Sequence, residues 1–274
     1  MKKTIAIIGA GNIGTAIAGG LIQTGTVSPE QIILTRRRTE HLQPWKAKGC
    51  RVTDSNTNAL QKSDIIILAV EPSQTDGVLN ELHPYFNSRK HTVVSVISGV
   101  SIQRIKKLAG RSVPVVRAMP NTAISIGESM TCLCADESDR AALDEATTIF
   151  GAVGRTIVIM EEQMTAATAL CACGIAFFLR SIRAASQGGT EIGFHAHEAL
   201  EMAAQTAKGA ASLLAGRQHH PEFEIDRVTT PRGCTISGLN EMEHGGFSSA
   251  MIKGILVSAT KADDLYNRQN GDEE

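Results

Sequence analysis

The chain has 274 residues, enough for two domains, with ordinary hydrophobic content and a formal net charge of -1. No global basic field speaks for nucleic acid, and one Trp with two Tyr argues against broad stacking on bases. Six cysteines, four of them as Cys132-Leu133-Cys134 and Cys171-Ala172-Cys173, fit neither a zinc site nor a disulfide framework, so reduced thiols in a cytoplasmic protein without metal are expected.

Met1 to Thr4 run straight into an apolar stretch that stops at Gly9, so no secretory leader is expected. The first half then alternates short β-branched runs with helical segments. Strands are expected at residues 4–8, 31–35, 65–69, 92–97 and 113–117, with helices such as 12–23 and 73–86 between them. Continuous apolar strands alternating with helices imply a parallel sheet covered on both faces. Two further strands, 129–134 and 155–159, flank a helix at 137–150.

Beyond residue 159 the texture becomes helical. Segments 162–185, 195–215 and 247–266 carry apolar residues at three- and four-residue spacing and are rich in Ala, Gly and Ser. The apolar stretch 170–179 is soon closed by Arg180 and Arg183, which suggests a buried helix and no membrane span. The expected plan is an α/β domain over 1–160 and an all-α domain over 161–274, the latter buried against a second copy. Residues 270–274 read as a frayed tail.

Between the first strand and the first helix stands Gly9-Ala10-Gly11-Asn12-Ile13-Gly14, the dinucleotide-binding fingerprint in its required context. Gly9 suits the tight turn, Gly11 clears space for a pyrophosphate, and Gly14 lets the helix approach the strand. Gly25 is the expected C-cap. Residues 1–160 are therefore expected to form a Rossmann-type domain. An NAD site ordinarily has an acid about 20 residues after the glycines, for the ribose hydroxyl. This chain instead has Thr35-Arg36-Arg37-Arg38-Thr39, with no acid until Glu40. Thr35, Arg36 and Arg37 suit a 2′-phosphate, so NADPH is favoured and NADH is the alternative; Arg38 reads as solvated.

Several segments in this order resemble pyrroline-5-carboxylate reductases: Ser55-Asn56, Ala69-Val70-Glu71-Pro72, Arg117-Ala118-Met119-Pro120-Asn121-Thr122, Val228 to Thr235, and Gly246-Phe247-Ser248-Ser249. The resemblance implies NAD(P)H-dependent reduction of a small cyclic imine, 1-pyrroline-5-carboxylate, to L-proline, in a homodimer that often assembles to a decamer. It also implies that Ser55 and Asn56 touch the adenosine side of the cofactor. Ala69, Val70 and Pro72 would line the cleft, and Met119, Pro120 and Asn121 would border the nicotinamide. The loop of Thr230, Gly233, Cys234 and Thr235 would hold the substrate, with Thr235 at the ring nitrogen as the catalytic candidate.

That loop reads sensibly on its own terms. Pro231 stops a preceding helix, Gly233 permits an unusual backbone angle, and Thr235 starts the helical run 236–242, whose N–H groups suit a carboxylate. An ordinary N-cap threonine is the blander alternative. Three positions depart from the family pattern. Glu71 stands where Lys is usual, Arg232 where Gly is usual, and Cys171-Ala172-Cys173-Gly174-Ile175-Ala176 replaces a Ser-Gly-Ser-Gly-Pro-Ala stretch.

Other candidates read as structural. His195 and His197 at i and i+2 are expected on different helix faces, and His219-His220-Pro221 as a loop. Cys132 and Cys134 are expected to share a strand face, Cys171 and Cys173 to pack in a helix, and Glu161-Glu162 to cap the helix that follows. Three other functions stay open: a reductase of a related imine, a 3-hydroxyacid-type dehydrogenase, weakened by the lack of a lysine near Glu161, and a non-catalytic NADPH-binding protein.

Overall fold

The computed structural model of the chain describes residues 3–215 and 220–270. The chain divides into two compact units, Met1–Cys173 with Ser258–Glu274, and Gly174–Val257. The last strand ends at Val158, close to the expected boundary, but the first unit continues to Cys173 and reclaims the C-terminal residues.

The first unit is built on strands β1 (Ile5–Ile8), β2 (Ile32–Thr35), β3 (Arg51–Thr53), β4 (Ile65–Leu68), β5 (Thr92–Ser95), β6 (Val115–Met119), β7 (Ser129–Ala135) and β8 (Gly154–Val158). They form one sheet in the order β3-β2-β1-β4-β5-β6-β7-β8. Helices α1 (Asn12–Gln23), α2 (Gln43–Ala47), α3 (Asn56–Gln61), α4 (Thr75–Leu82), α5 (Ile102–Ala109), α6 (Arg140–Gly151) and α7 (Met164–Ala167) accompany it. Its first six strands have the doubly wound order that reverses between β1 and β4.

The residues of β1 explain why the sheet is covered twice. Ile5 and Ile7 join one buried cluster with Ile17 and Leu21 of α1 and Phe150 of α6. Ala6 and Ile8 join the other, with Leu79 of α4 and Ile105 of α5. Alternate residues of a strand face opposite sides, so a wholly apolar strand needs a helix layer on each. Each buried Ile or Leu contributes roughly 1.5–3 kcal/mol.

Two features differ from the sequence expectation. Strand β7 runs antiparallel to β6, pairing Met119 with Cys132, while the other strand pairs are parallel. The link 120–128 holds only a short turn, Thr122–Ile126, and has no room for the crossover helix that parallel pairing needs. The unexpected β3 is three residues long with none buried, so it lacks the apolar run that marks its neighbours. Gly25 does follow α1 in the left-handed region, at φ +69°, directly after the cap Thr24.

The second unit holds α8 (Gly174–Glu191), α9 (Ala196–Ala215), α10 (Pro221–Val228), α11 (Cys234–His244) and the first part of α12 (Phe247–Asn270). Small residues bring the helices together: a Cβ on Gly189 of α8 would stand 3.0 Å from that of Ala199 in α9. The apolar stretch 170–179 is not buried as expected. Leu170 is 57% exposed, Phe178 62% and Leu179 58%. It belongs to a helical run over Glu161–Glu191, whose most apolar window has mean hydropathy 1.6 and is long and apolar enough to cross a membrane by length and composition alone.

His195 precedes α9, and its ring stacks on that of His197 with centroids 6.2 Å apart, so the two do not diverge. Pro221 opens α10 and His220 accepts from Glu222 N; His219 and residues 271–274 lie outside the described residues.

Candidate functional site

The glycine turn sits where β1 and β4 end side by side. Gly9 has φ +87°, and a Cβ there would lie 2.6 Å from Val70 Cγ1 and 2.9 Å from Ala69 O. Only glycine fits that place on both counts. A Cβ on Gly14 would stand 3.0 Å from Gly9 O and from Ile7 Cγ2, which is the close helix–strand approach the fingerprint predicts. At Gly11 a Cβ would meet nothing within 4 Å, so the backbone there faces open space. Gly11 also caps α1 without a side-chain hydrogen bond, leaving the first-turn N–H groups, including those of Asn12 and Ile13, for a phosphate. The cradle fits a dinucleotide.

A cavity of about 440 Å³ opens on this turn. Gly9, Gly11, Thr35, Arg36, Arg37, Asn56, Ala69 and Val70 line it, which gathers most of the expected cofactor residues. The sequence reading missed Arg38, His41, Gln74 and Val78, which line it too. Arg38 belongs with its two neighbours in place of being merely solvated. Gln74 and Val78 are four apart at the start of α4, a spacing that pointed to one face. Glu71, the negative residue in a place usually positive, also lines the cavity.

A hydrogen-bond chain fixes the cavity wall. Gly9 N donates to Thr35 Oγ1 at 3.3 Å, Thr35 Oγ1 donates to Asn56 Oδ1 at 2.7 Å, and Asn56 Nδ2 donates to Glu81 Oε2 at 3.2 Å. The buried Thr35 thus ties the glycine turn to α3, and Ser55 caps α3 by accepting from Asn58 N.

Other expected residues lie apart from this cavity. Pro72 opens a short turn before α4, and Asn12 lines a separate groove along α1 with Trp45. Met119 is 4% exposed and Pro120 is buried. Asn121 anchors its loop: its Oδ1 accepts from Ala123 N, its backbone N donates to Ser129 Oγ, and its Nδ2 donates to Cys171 O at 3.3 Å.

Glu161 and Glu162 stand in the first turn of the helical run that follows, whose N-cap is Met160, and the Glu161 side chain reaches other elements. Its Oε1 accepts from Ile102 N at 2.8 Å, at the start of α5, and from the buried Arg117 at 3.1 Å. A buried guanidinium is tolerable only when paired this way.

In the second unit, Thr230, Pro231, Arg232 and Gly233 form a turn closed by Gly233 N donating to Thr230 O at 2.9 Å. The unusual backbone angle falls on Arg232, at φ +60°, and not on Gly233, whose φ is -75°. Proline followed by a left-handed residue is the pattern of a type II turn, which favours glycine at that third position. The departure at Arg232 therefore costs about 1–2 kcal/mol of strain. Gly233 is needed for another reason: a Cβ would meet Thr230 Oγ1 at 2.5 Å. It is also the N-cap of α11, so Thr235 is the second helical residue and not an ordinary N-cap. Cys234 is exposed and Thr235 half-buried on that first turn. Among the described residues no three His, Cys, Asp or Glu gather as a metal site would need.

Two family models match the chain, one toward each end. Residues 161–265 match the family model described as pyrroline-5-carboxylate reductase dimerisation, and residues 4–99 match that of NADP oxidoreductase, coenzyme F420-dependent. Pyrroline-5-carboxylate reductase 1 of Dictyostelium discoideum is 50% identical over 97% of this chain and 50% of its own length. Pyrroline-5-carboxylate reductase 2 of the same organism is 46% identical over 95% of this chain and 92% of its own. The chain thus spans half the length of the first relative and nearly all of the second. A crystal structure of Plasmodium falciparum pyrroline carboxylate reductase with NADP bound superposes with a TM-score of 0.87, covering 97% of this chain and 98% of that one at 23% identity, a likeness of fold.

Proposed function

This chain belongs to the pyrroline-5-carboxylate reductase family, and from that premise we propose how its residues divide the reaction. The protein is an oxidoreductase acting on a CH–NH bond, reducing 1-pyrroline-5-carboxylate to L-proline, the last step of proline biosynthesis. Its cofactor is NADP(H).

NADPH supplies a hydride to the imine carbon; the chain's part is to bind, align and exclude water. Gly9, Gly11 and the first N–H groups of α1 hold the pyrophosphate. Thr35, Arg36 and Arg37 take the 2′-phosphate, and Asn56, Ala69, Val70 and Pro72 border the remaining cofactor. Met119, Pro120 and Asn121 border the nicotinamide. The N–H groups of Cys234 and Thr235 at the start of α11 bind the substrate carboxylate, with Thr230 and Gly233 shaping the turn before them. The Thr235 hydroxyl hydrogen-bonds the ring nitrogen.

Residues 161–274 serve as the dimerisation and substrate domain, and the pair assembles further toward a decamer in the cytoplasm. The dimer is supported by the dimerisation model over this region and by the exposed Phe178, Leu200, Leu256 and Val257. A second copy covering these side chains is the proposed reason that the 170–179 face is bare.

The observation that carries the reading is the basic-walled cavity at the glycine turn, in a chain related over nearly its full length to a reductase of this family. The test is NADPH oxidation with pyrroline-5-carboxylate and, separately, with small keto acids. Turnover with the imine alone is expected. Turnover with a keto acid would mark a hydroxyacid dehydrogenase, and saturable binding without turnover would mark a non-catalytic NADPH-binding protein.

A further inference from the structure

We propose that Cys132 and Cys171 are a reversible thiol–disulfide pair, closed by a low-molecular-weight disulfide and reopened by a dithiol, that acts on the loop carrying Met119 to Asn121.

The two sulfur atoms lie 3.9 Å apart, joining strand β7 to the segment after α7. A disulfide bond is about 2.05 Å long, so closure asks for an approach of roughly 1.9 Å. Cys132 is 4% exposed on β7, which is hydrogen-bonded on both sides, to β6 and β8. Cys171 is half-buried and lies in a π-helical stretch, Thr168–Cys173, which has a wider turn than the helices on either side. The pair therefore has one fixed member and one in a looser, more reachable segment.

The chemistry suits that asymmetry. The hydrogen bond between the two thiols lowers the pKa of the half-buried Cys171 and raises that of Cys132, which burial raises further. Cys171, the more exposed of the two, is then the attacking thiolate. Attack on a small disulfide RSSR forms a Cys171–SR bond and releases RS⁻. Cys132, giving up its proton, attacks the Cys171 sulfur and expels the second RS⁻. The two thiols lose two electrons and two protons; RSSR gains them and leaves as two RSH. Cys134, buried on the same strand, is a poorer nucleophile because burial pushes its pKa up to about 11.

Both cysteines are tied to one loop. Cys132 is the cross-strand partner of Met119, and Cys171 O accepts from Asn121 Nδ2 at an already long 3.3 Å. Closing the bond draws the Cys171 segment toward β7 and disturbs that hydrogen bond. The bond itself follows from the first unit alone. Its effect on turnover rests on the proposed reading that Met119 to Asn121 border the nicotinamide.

The test uses the reduced full-length protein, exposed to glutathione disulfide at neutral pH and then alkylated. Fragmentation of the non-reduced peptides should show Cys132 joined to Cys171. The link should vanish in Cys171→Ser and persist in Cys134→Ser and Cys173→Ser. NADPH turnover of the oxidised wild type should fall several-fold and return with dithiothreitol, while Cys171→Ser should keep its own turnover on the same treatment. Recovery of both cysteines alkylated, or a link to Cys134 or Cys173 instead, would overturn the pair. A link with unchanged turnover would overturn its action on the loop. A reduced enzyme inactive on the imine would refute the substrate reading, and the peptide map would still decide the bond.

Discussion

The two units spend their apolar residues differently. In α1, Ile17 and Leu21 are wholly buried against the sheet, and the cavity at the glycine turn is lined from elements of that unit. In the helical unit, Leu200, Met202, Leu256 and Val257 are 47–61% exposed. The first unit has a buried core on both faces of its sheet, although Ile126, Met160 and Leu170 stay exposed, whereas the helices of the second leave most of their large apolar side chains bare. Exposed apolar surface on this scale marks an interface. The proposed cofactor cradle therefore lies within the first unit, and the proposed assembly surface lies on the second.

The contrast can be broken most forcefully at the exposed helices. Leu200→Asp combined with Leu256→Asp should dissociate the assembly to single chains by light scattering while NADPH binding survives. Retained assembly would mean that these side chains are not at the interface. A smaller effect is expected within the first unit. Arg36→Ala with Arg37→Ala should weaken NADPH roughly 10- to 100-fold per charged hydrogen bond lost, from about 1.5–3 kcal/mol each. NADH binding should barely change, and a wild-type preference for NADH would refute the 2′-phosphate assignment.

The smallest effect concerns stability. His91 is buried with its Nε2 unpartnered, and burial, aided by Lys90, lowers its pKa below the usual 6.5. The unfolded chain therefore takes up the proton first as pH falls. The contribution to stability is full above pH 6.5 and is lost as pH drops through that value toward the folded pKa. Urea midpoints should fall modestly from pH 7.5 to about pH 5.5, and His91→Asn should flatten part of the decline; an equal decline in the variant would assign it to other groups.

Much of this was legible in the sequence, where a residue's local pattern and its fate coincide. The runs Ile5–Ile8 and Ile65–Leu68 are wholly buried strands, and the glycine spacing between a strand and a helix located the turn. The direction of β7 was less plain, although the short link before it carried the signal. Helix α5 was overlooked despite Ile102, Ile105 and Ala109 on one face behind the cap Ser101. Arg232 was misread because a backbone angle is not written in residue type: the neighbouring glycine drew the assignment, while a non-glycine residue bears the strain. The Cys132–Cys171 contact was out of reach, since it joins residues 39 apart through tertiary packing.

The division of labour is tested most directly at Thr235, by measuring turnover and NADPH affinity in Thr235→Ala beside the wild type. The account predicts that kcat with pyrroline-5-carboxylate falls about 10- to 100-fold, the worth of one hydrogen bond made to a charged centre, while the NADPH Kd is unchanged. Unchanged turnover, or a loss of NADPH binding, would contradict it.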